Sequence, residues 1–217
     1  MTICVTTPFC YDRNERIKTR VITVYQYELR AYLHRLQPYL TTSIVLFSVG
    51  VVVGLLIVNQ FPHITDSLDQ SLHAFIKQFR GLPKLKLAVA IFVNNSIKTL
   101  AAILLGIVFG LVPALMLIVN GAALAVVLSQ SAQSRGIWLS LLSIVPHGVL
   151  ELPAVFLGSA IGLMMGASFT RRLTAKSENT IGAELGQALR FFATVIVPLL
   201  LLAALVEAHV TAALLVR

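Results

Sequence analysis

Residues 41–59, TTSIVLFSVGVVVGLLIVN, hold no charged side chain, and a run of that kind decides most of what the chain can become. The hydrocarbon of a bilayer is about 30 Å thick and is crossed by about 20 predominantly apolar residues of helix. No water is available there for backbone N–H and C=O groups, so the segment must satisfy them within itself as a helix. Four further apolar runs follow at 86–110, 113–129, 147–169 and 191–216. The expected fold is an all-α polytopic protein of the cytoplasmic membrane, with five transmembrane helices in one membrane domain over 41–217. A basic, amphipathic cytoplasmic segment over 1–40 precedes it. Charged residues make up only 12% of the 217, against roughly a quarter in soluble domains, which leaves no room for a sizeable soluble domain.

One apolar stretch has an awkward length. Residues 136–168 would run about 50 Å as a single helix at about 1.5 Å per residue, too long for one crossing and too short for two. Pro146 lacks a backbone donor and disfavours helix at the residue before it, which predicts a break at Val145. Residues 137–145 then form a half-helix, re-entrant or interfacial, ahead of the fourth span.

Sidedness follows from the basic residues. The N-terminal segment carries six against three acidic ones, and 170–190 carries Arg171, Arg172, Lys176 and Arg190 against Glu178 and Glu184. With five crossings both lie on one side, which the positive-inside rule makes the cytoplasm. The N-terminus is then inside and the C-terminus outside, although Lys77, Arg80, Lys84 and Lys86 lie on the outer side. The net charge of +8 is accordingly spread beside spans, where the lipid bilayer and not nucleic acid is the counterpart. The start of the chain lacks the pattern of a cleaved signal peptide, so the first span serves as its own signal. Cys4 and Cys10 fit no disulfide, zinc or lipidation pattern and read as cytoplasmic thiols.

Two segments are amphipathic. Ile64, Leu68, Leu72, Phe75, Ile76 and Phe79 share one helical face, predicting an external interfacial helix over 64–79. Tyr25, Leu29, Tyr32 and Leu36 form a similar stripe beside Arg30 and Arg35, suited to the inner membrane surface.

Polar groups interrupt the spans at Asn94, Asn95, Lys98, Asn120, His147 and Glu151. Counted from the outer ends, Asn94 lies about 12 Å down the second span and Asn120 about 15 Å down the third. A half-helix that dips brings His147 and Glu151 to that level, whereas a flat one leaves them nearer the interface. Asn94 with Lys98, and His147 with Glu151, stand at i, i+4 on single faces. A charge at a helix centre costs about 2.5–3.5 kcal/mol on insertion scales, so Lys98 is the natural counter-charge for Glu151. The positive helix end after Pro146 also favours the ionised carboxylate. Such a cluster serves either as interhelical hydrogen bonding worth roughly 0.6–2 kcal/mol per group or as a site.

Metal chemistry has only His147 and Glu151 to draw on. A catalytic zinc wants three protein ligands and the His-Glu-x-x-His spacing is missing, so neither zinc nor any other cofactor is expected. No Gly-x-Ser-x-Gly elbow marks a nucleophile. Glycines recur at four-residue spacing as Gly50/Gly54, Gly106/Gly110 and Gly158/Gly162/Gly166. These are positions for close helix packing, within the chain or in a homodimer.

The stretches FVNNSIKTLAAILLGIVFGLVPALMLIVNGAAL and PHGVLELPAVFLGSAIGLMMG resemble the stage II sporulation protein M family in carrying a paired Asn, then Asn-Gly, then His-Gly-x-x-Glu. The resemblance covers roughly residues 40–217. It implies a five-span membrane protein, and it marks Asn94, Asn95, Asn120, Gly121, His147, Gly148 and Glu151 as motif positions, adding Gly121 and Gly148 to the packing glycines. The sporulation member is a scaffold that recruits peptidoglycan-remodelling proteins, which implies a non-enzymatic organiser of membrane or envelope protein partners. A small-solute or ion transporter built on His147 and Glu151 is the alternative, because broken helices with midplane polar groups build transporter sites. An intramembrane metal-dependent hydrolase is the third reading.

Overall fold

The computed structural model describes residues 13–61, 83–174 and 181–215. They form α1 Arg13–Gln60, α2 Lys84–Leu105, α3 Leu111–Arg135, α4 Ile137–Thr174, α5 Ile181–Phe191 and α6 Val197–Leu215, with a π turn at Phe192–Ile196 between the last two. No strand occurs among the described residues. Leu29–Gln60, Lys84–Leu105, Leu111–Ser134, Glu151–Thr174 and Ile181–His209 are long and apolar enough to cross a bilayer. The protein is an all-α, multi-pass membrane protein.

Two compact units divide the chain, Met1–Pro38 and Tyr39–Arg217. In the first, α1 is already helical from Arg13, and Arg30, His34 and Arg35 are exposed. The external helix expected over 64–79, and Cys4 and Cys10, lie outside the described residues.

In the second unit α4 is central. It packs on α2, α3, α5 and α6, and half of its span is buried against 22–33% of the others. Glycine makes this approach possible. A β-carbon on Gly162 would strike the Ala102 carbonyl, one on Gly166 the Gly110 nitrogen, and one on Gly158 the Thr99 side chain. Gly106 lies on the backbone of Gly162, while Gly50 and Gly121 seat α1 and α3 against the Ile118 and Phe47 carbonyls. Lipid tails are as apolar as leucine, so van der Waals contact at such distances is what binds helices in a membrane. The long glycine stripes therefore serve contacts inside the chain. Gly148 differs, meeting only the side chain of Leu152, one turn along its own helix.

The structure departs from the sequence expectations at three places. The second helix ends at Leu105, because residues 106–110 form the turn into α3, held by Gly110 N–H donating to the Gly106 carbonyl at 2.8 Å. Phe109 and Gly110 take left-handed φ values of 53° and 71°, and the Phe109 ring meets Phe169 edge-on at 5.6 Å. Pro113 falls in the first turn of α3, where its missing N–H costs nothing.

The break expected at Val145 is not there, since α4 continues through Pro146. One lost hydrogen bond is tolerable in a helix that neighbours hold in place, and Pro38, Pro153 and Pro198 are likewise inside helical segments. Residues 137–145 are thus the first turns of α4.

The helix of the last candidate span is already formed at Ile181, ten residues before the expected start of the span at 191. Charge had marked 170–190 as a connection, but Glu184 pairs with Arg172 at 3.3 Å with both side chains largely covered. That pairing lowers the cost of carrying Glu184 in the helix.

Gly162→Val forces α2 and α4 apart and is expected to lose at least about 1–3 kcal/mol of stability, the usual toll of overpacking. Gly186, with open space around it, is expected to gain about 0.5–1 kcal/mol as Ala from helix propensity alone. Thermal unfolding of both variants in detergent checks the pair, and equal effects would refute the seam.

Candidate functional site

Four of the helices named above, α1 through α4, line an open-sided cavity of about 750 Å3, within the ordinary range of roughly 300–1,000 Å3 for small-ligand sites. Most of its wall is apolar, with Met116, Leu124, Val127 and Leu128 contributed by α3 and Leu152 and Val155 by α4. Asn95 and Lys98 from α2, Asn120 from α3 and Glu151 from α4 supply its strongly polar groups; Asn95 is buried and Glu151 half-buried, whereas Lys98 and Asn120 are exposed. Thus four of the six polar positions picked out by the sequence meet on one cavity, as does Gly148.

Helix geometry explains the gathering. Asn95, Lys98, Thr99 and Ala102 repeat at three- and four-residue steps and line one stripe of α2. Thr99 donates from Oγ1 to the Asn95 carbonyl at 2.7 Å, which removes its hydroxyl hydrogen from competition for other partners. Below the polar groups, Phe47 of α1 and Phe156 of α4 meet edge-to-face at 5.2 Å.

The two adjacent asparagines are separated by the structure. Asn95 is buried and faces the cavity, whereas Asn94 is exposed and donates from Nδ2 to Asn95 Oδ1 at 3.2 Å. That bond engages the Asn95 oxygen and leaves its NH2 group as the polar function turned to other partners. Lys98 makes no ion pair among the described residues, so the expected direct pairing with Glu151 is absent although both line the cavity. One carboxylate oxygen of Glu151 is fully buried. His147 occupies α4 one turn before Glu151, and its side chain lies outside the described residues. Among the described residues no three of His, Cys, Asp and Glu converge.

Sequence reasoning missed Phe47, Thr99, Phe156 and Ser159 as lining residues. Thr99 was within reach, standing four residues after Asn95 on the same face. Nothing in the local sequence points to Phe47, whose place depends on how α1 docks.

The family model described as Stage II sporulation protein M matches residues 43–212, a region containing every residue named on the cavity wall. An uncharacterized protein of the archaeon Methanocaldococcus jannaschii is 26% identical over 171 residues, covering 78% of this chain and 91% of the relative. No solved structure matches.

The separation of the asparagines is testable. Asn95→Leu is expected to destabilise the bundle by about 0.6–2 kcal/mol, the range for interhelical polar groups, while Asn94→Leu is expected to be neutral. Unfolding in detergent gives the comparison, and equal losses would contradict the assigned orientations.

Proposed function

The chain belongs to the stage II sporulation protein M family, and from that premise we propose that it is a membrane scaffold that recruits or organises membrane or envelope protein partners, without chemistry of its own. The observation that carries this reading is the start of α4. In its first turns the helix presents Ile137, Trp138, Leu139 and Leu142 at 48%, 77%, 62% and 69% exposure, while Ser140 between them is buried and bonded to the Gly136 carbonyl at 2.9 Å. An exposed apolar ridge continuous with a rigid central helix is a natural seat for a partner. A transporter reading draws on the same polar cavity, but the discontinuous helix that would favour it is absent from α4. The reading further places the N-terminus in the cytoplasm, with Arg171 and Arg172 at the end of α4 on the same side, and the C-terminus outside.

Affinity purification from native membranes tests the scaffold. A membrane or envelope protein recovered in comparable amount, and lost by about fivefold or more in Leu139→Asn/Leu142→Asn with no change in the unfolding midpoint, is the expected result. Recovery of the chain alone, or turnover of a substrate by the purified chain, would overturn it.

Orientation has its own test. Alkaline phosphatase fused after Arg217 is expected to be active and a fluorescent protein fused before Met1 to be bright. The reverse pattern inverts the topology.

A further inference from the structure

The polar groups on the cavity are of two kinds. Lys98 is a cation, and the amides of Asn95 and Asn120 add N–H donors, so this set attracts an anion. Glu151 is the acidic side chain on the wall. The two charges line one cavity without Lys98 entering an ion pair among the described residues.

Position makes the arrangement demanding. Lys98 lies 14 residues from the start of α2 and seven from its end, roughly 21 Å and 10 Å along the axis. An ammonium at such depth normally faces a counter-charge or water. The rest of the wall is the opposite in character, formed by Leu124, Val127, Leu152 and Val155 among others. A ligand that suits both parts has an anion and a cation close together at one end and a hydrocarbon chain at the other.

We infer that the open-sided cavity lined by α1, α2, α3 and α4 binds a phospholipid whose headgroup joins a phosphate to a primary ammonium, with the phosphate at Lys98, Asn95 and Asn120 and the ammonium at Glu151. One acyl chain lies along the apolar wall of α3 and α4. The phosphate receives charge-assisted hydrogen bonds from three side chains, and the primary ammonium has hydrogens for the carboxylate that a quaternary ammonium lacks. An anionic phosphoglycerol headgroup matches the first half of the site and leaves Glu151 facing a neutral diol. A volume of about 750 Å3 admits such a headgroup with part of a chain. This binding is independent of the partner reading, since the ridge at Ile137–Leu142 is not the surface that holds the lipid head.

The test uses full-length protein, exchanged into a lipid-free detergent and then incubated with mixed micelles containing phosphatidylethanolamine, phosphatidylglycerol or phosphatidylcholine of matched chains. Native mass spectrometry and phosphorus analysis count the lipid that remains after washing. The expected result is about one phosphatidylethanolamine per chain, with the other two retained at least about fivefold less. Lys98→Ala is expected to lower retention of phosphatidylethanolamine and phosphatidylglycerol alike, and Glu151→Gln to reduce the preference between them. Water-soluble phosphoethanolamine at the same concentration is expected not to displace the lipid, which separates a membrane lipid from a free phosphate ester as the source of the headgroup. Equal retention of the three lipids by the unaltered chain overturns the proposal without reliance on any variant. So does absence of bound lipid, or displacement by free phosphoethanolamine.

Discussion

The structure hangs on backbone-to-backbone contact along the glycine stripe of α4. Water drives apolar helices together in a soluble protein, but within a bilayer that drive is absent and surfaces must fit closely to prefer one another to lipid. Gly158, Gly162 and Gly166 let α4 press on Thr99, Ala102 and the turn at Gly106–Gly110. The same side of the bundle is then locked by polar and aromatic contacts at its end. Arg171 donates from Nη2 to the Tyr39 hydroxyl at 2.6 Å, and Phe109 packs edge-on against Phe169. Packing is tight at this end and widens towards Glu151, and the widening is the cavity. A bundle seamed along one half of a helix and filled by larger side chains elsewhere diverges of necessity.

That divergence gives the polar groups their meaning. Asn95, Lys98, Asn120 and Glu151 would each be a liability if scattered over a lipid-facing surface, and their assembly on one open-sided pocket, with Asn95 buried, Glu151 half-buried and Lys98 and Asn120 exposed, gives them one shared polar environment. The apolar faces on either side, Val93 and Ile97 on α2 and Leu115 and Val119 on α3, are exposed to the surroundings of the bundle. Each of these helices therefore divides its circumference between lipid and cavity.

The number of spans and their helical nature were legible because they follow from run length alone. The polar stripe was partly legible, since i, i+4 spacing places residues on one face, but it cannot say which neighbouring helix that face meets. Asn94 and Asn95 carry the same side chain at successive positions, and the roughly 100° between them decides burial against exposure. Pro146 misled for a physical reason: its penalty is one hydrogen bond and a steric bias, both of which surrounding helices can absorb. Glu184 and Arg190 looked like a connection because a charge seen alone argues against a span. The partner of Glu184 is Arg172, twelve residues earlier and on another helix. Phe47 was beyond reach, since its role arises only when Gly121 allows α3 to meet α1.

Continuity of α4 ties these features together. With no break at Pro146, the apolar ridge at Ile137–Leu142, the cavity wall at Gly148–Ser159 and the glycine seam at Gly158–Gly166 belong to a single helix. Two α-helical segments joined by a flexible break can reorient independently; one helix cannot do so without bending. The seam fixes the C-terminal half of α4 against α2 and the turn before α3, so displacement of its N-terminal half must be taken up between Pro146 and Gly158. Glu151 lies within that interval. The stretch that lines the cavity is thus the part of α4 that lies between the exposed first turns and the seam.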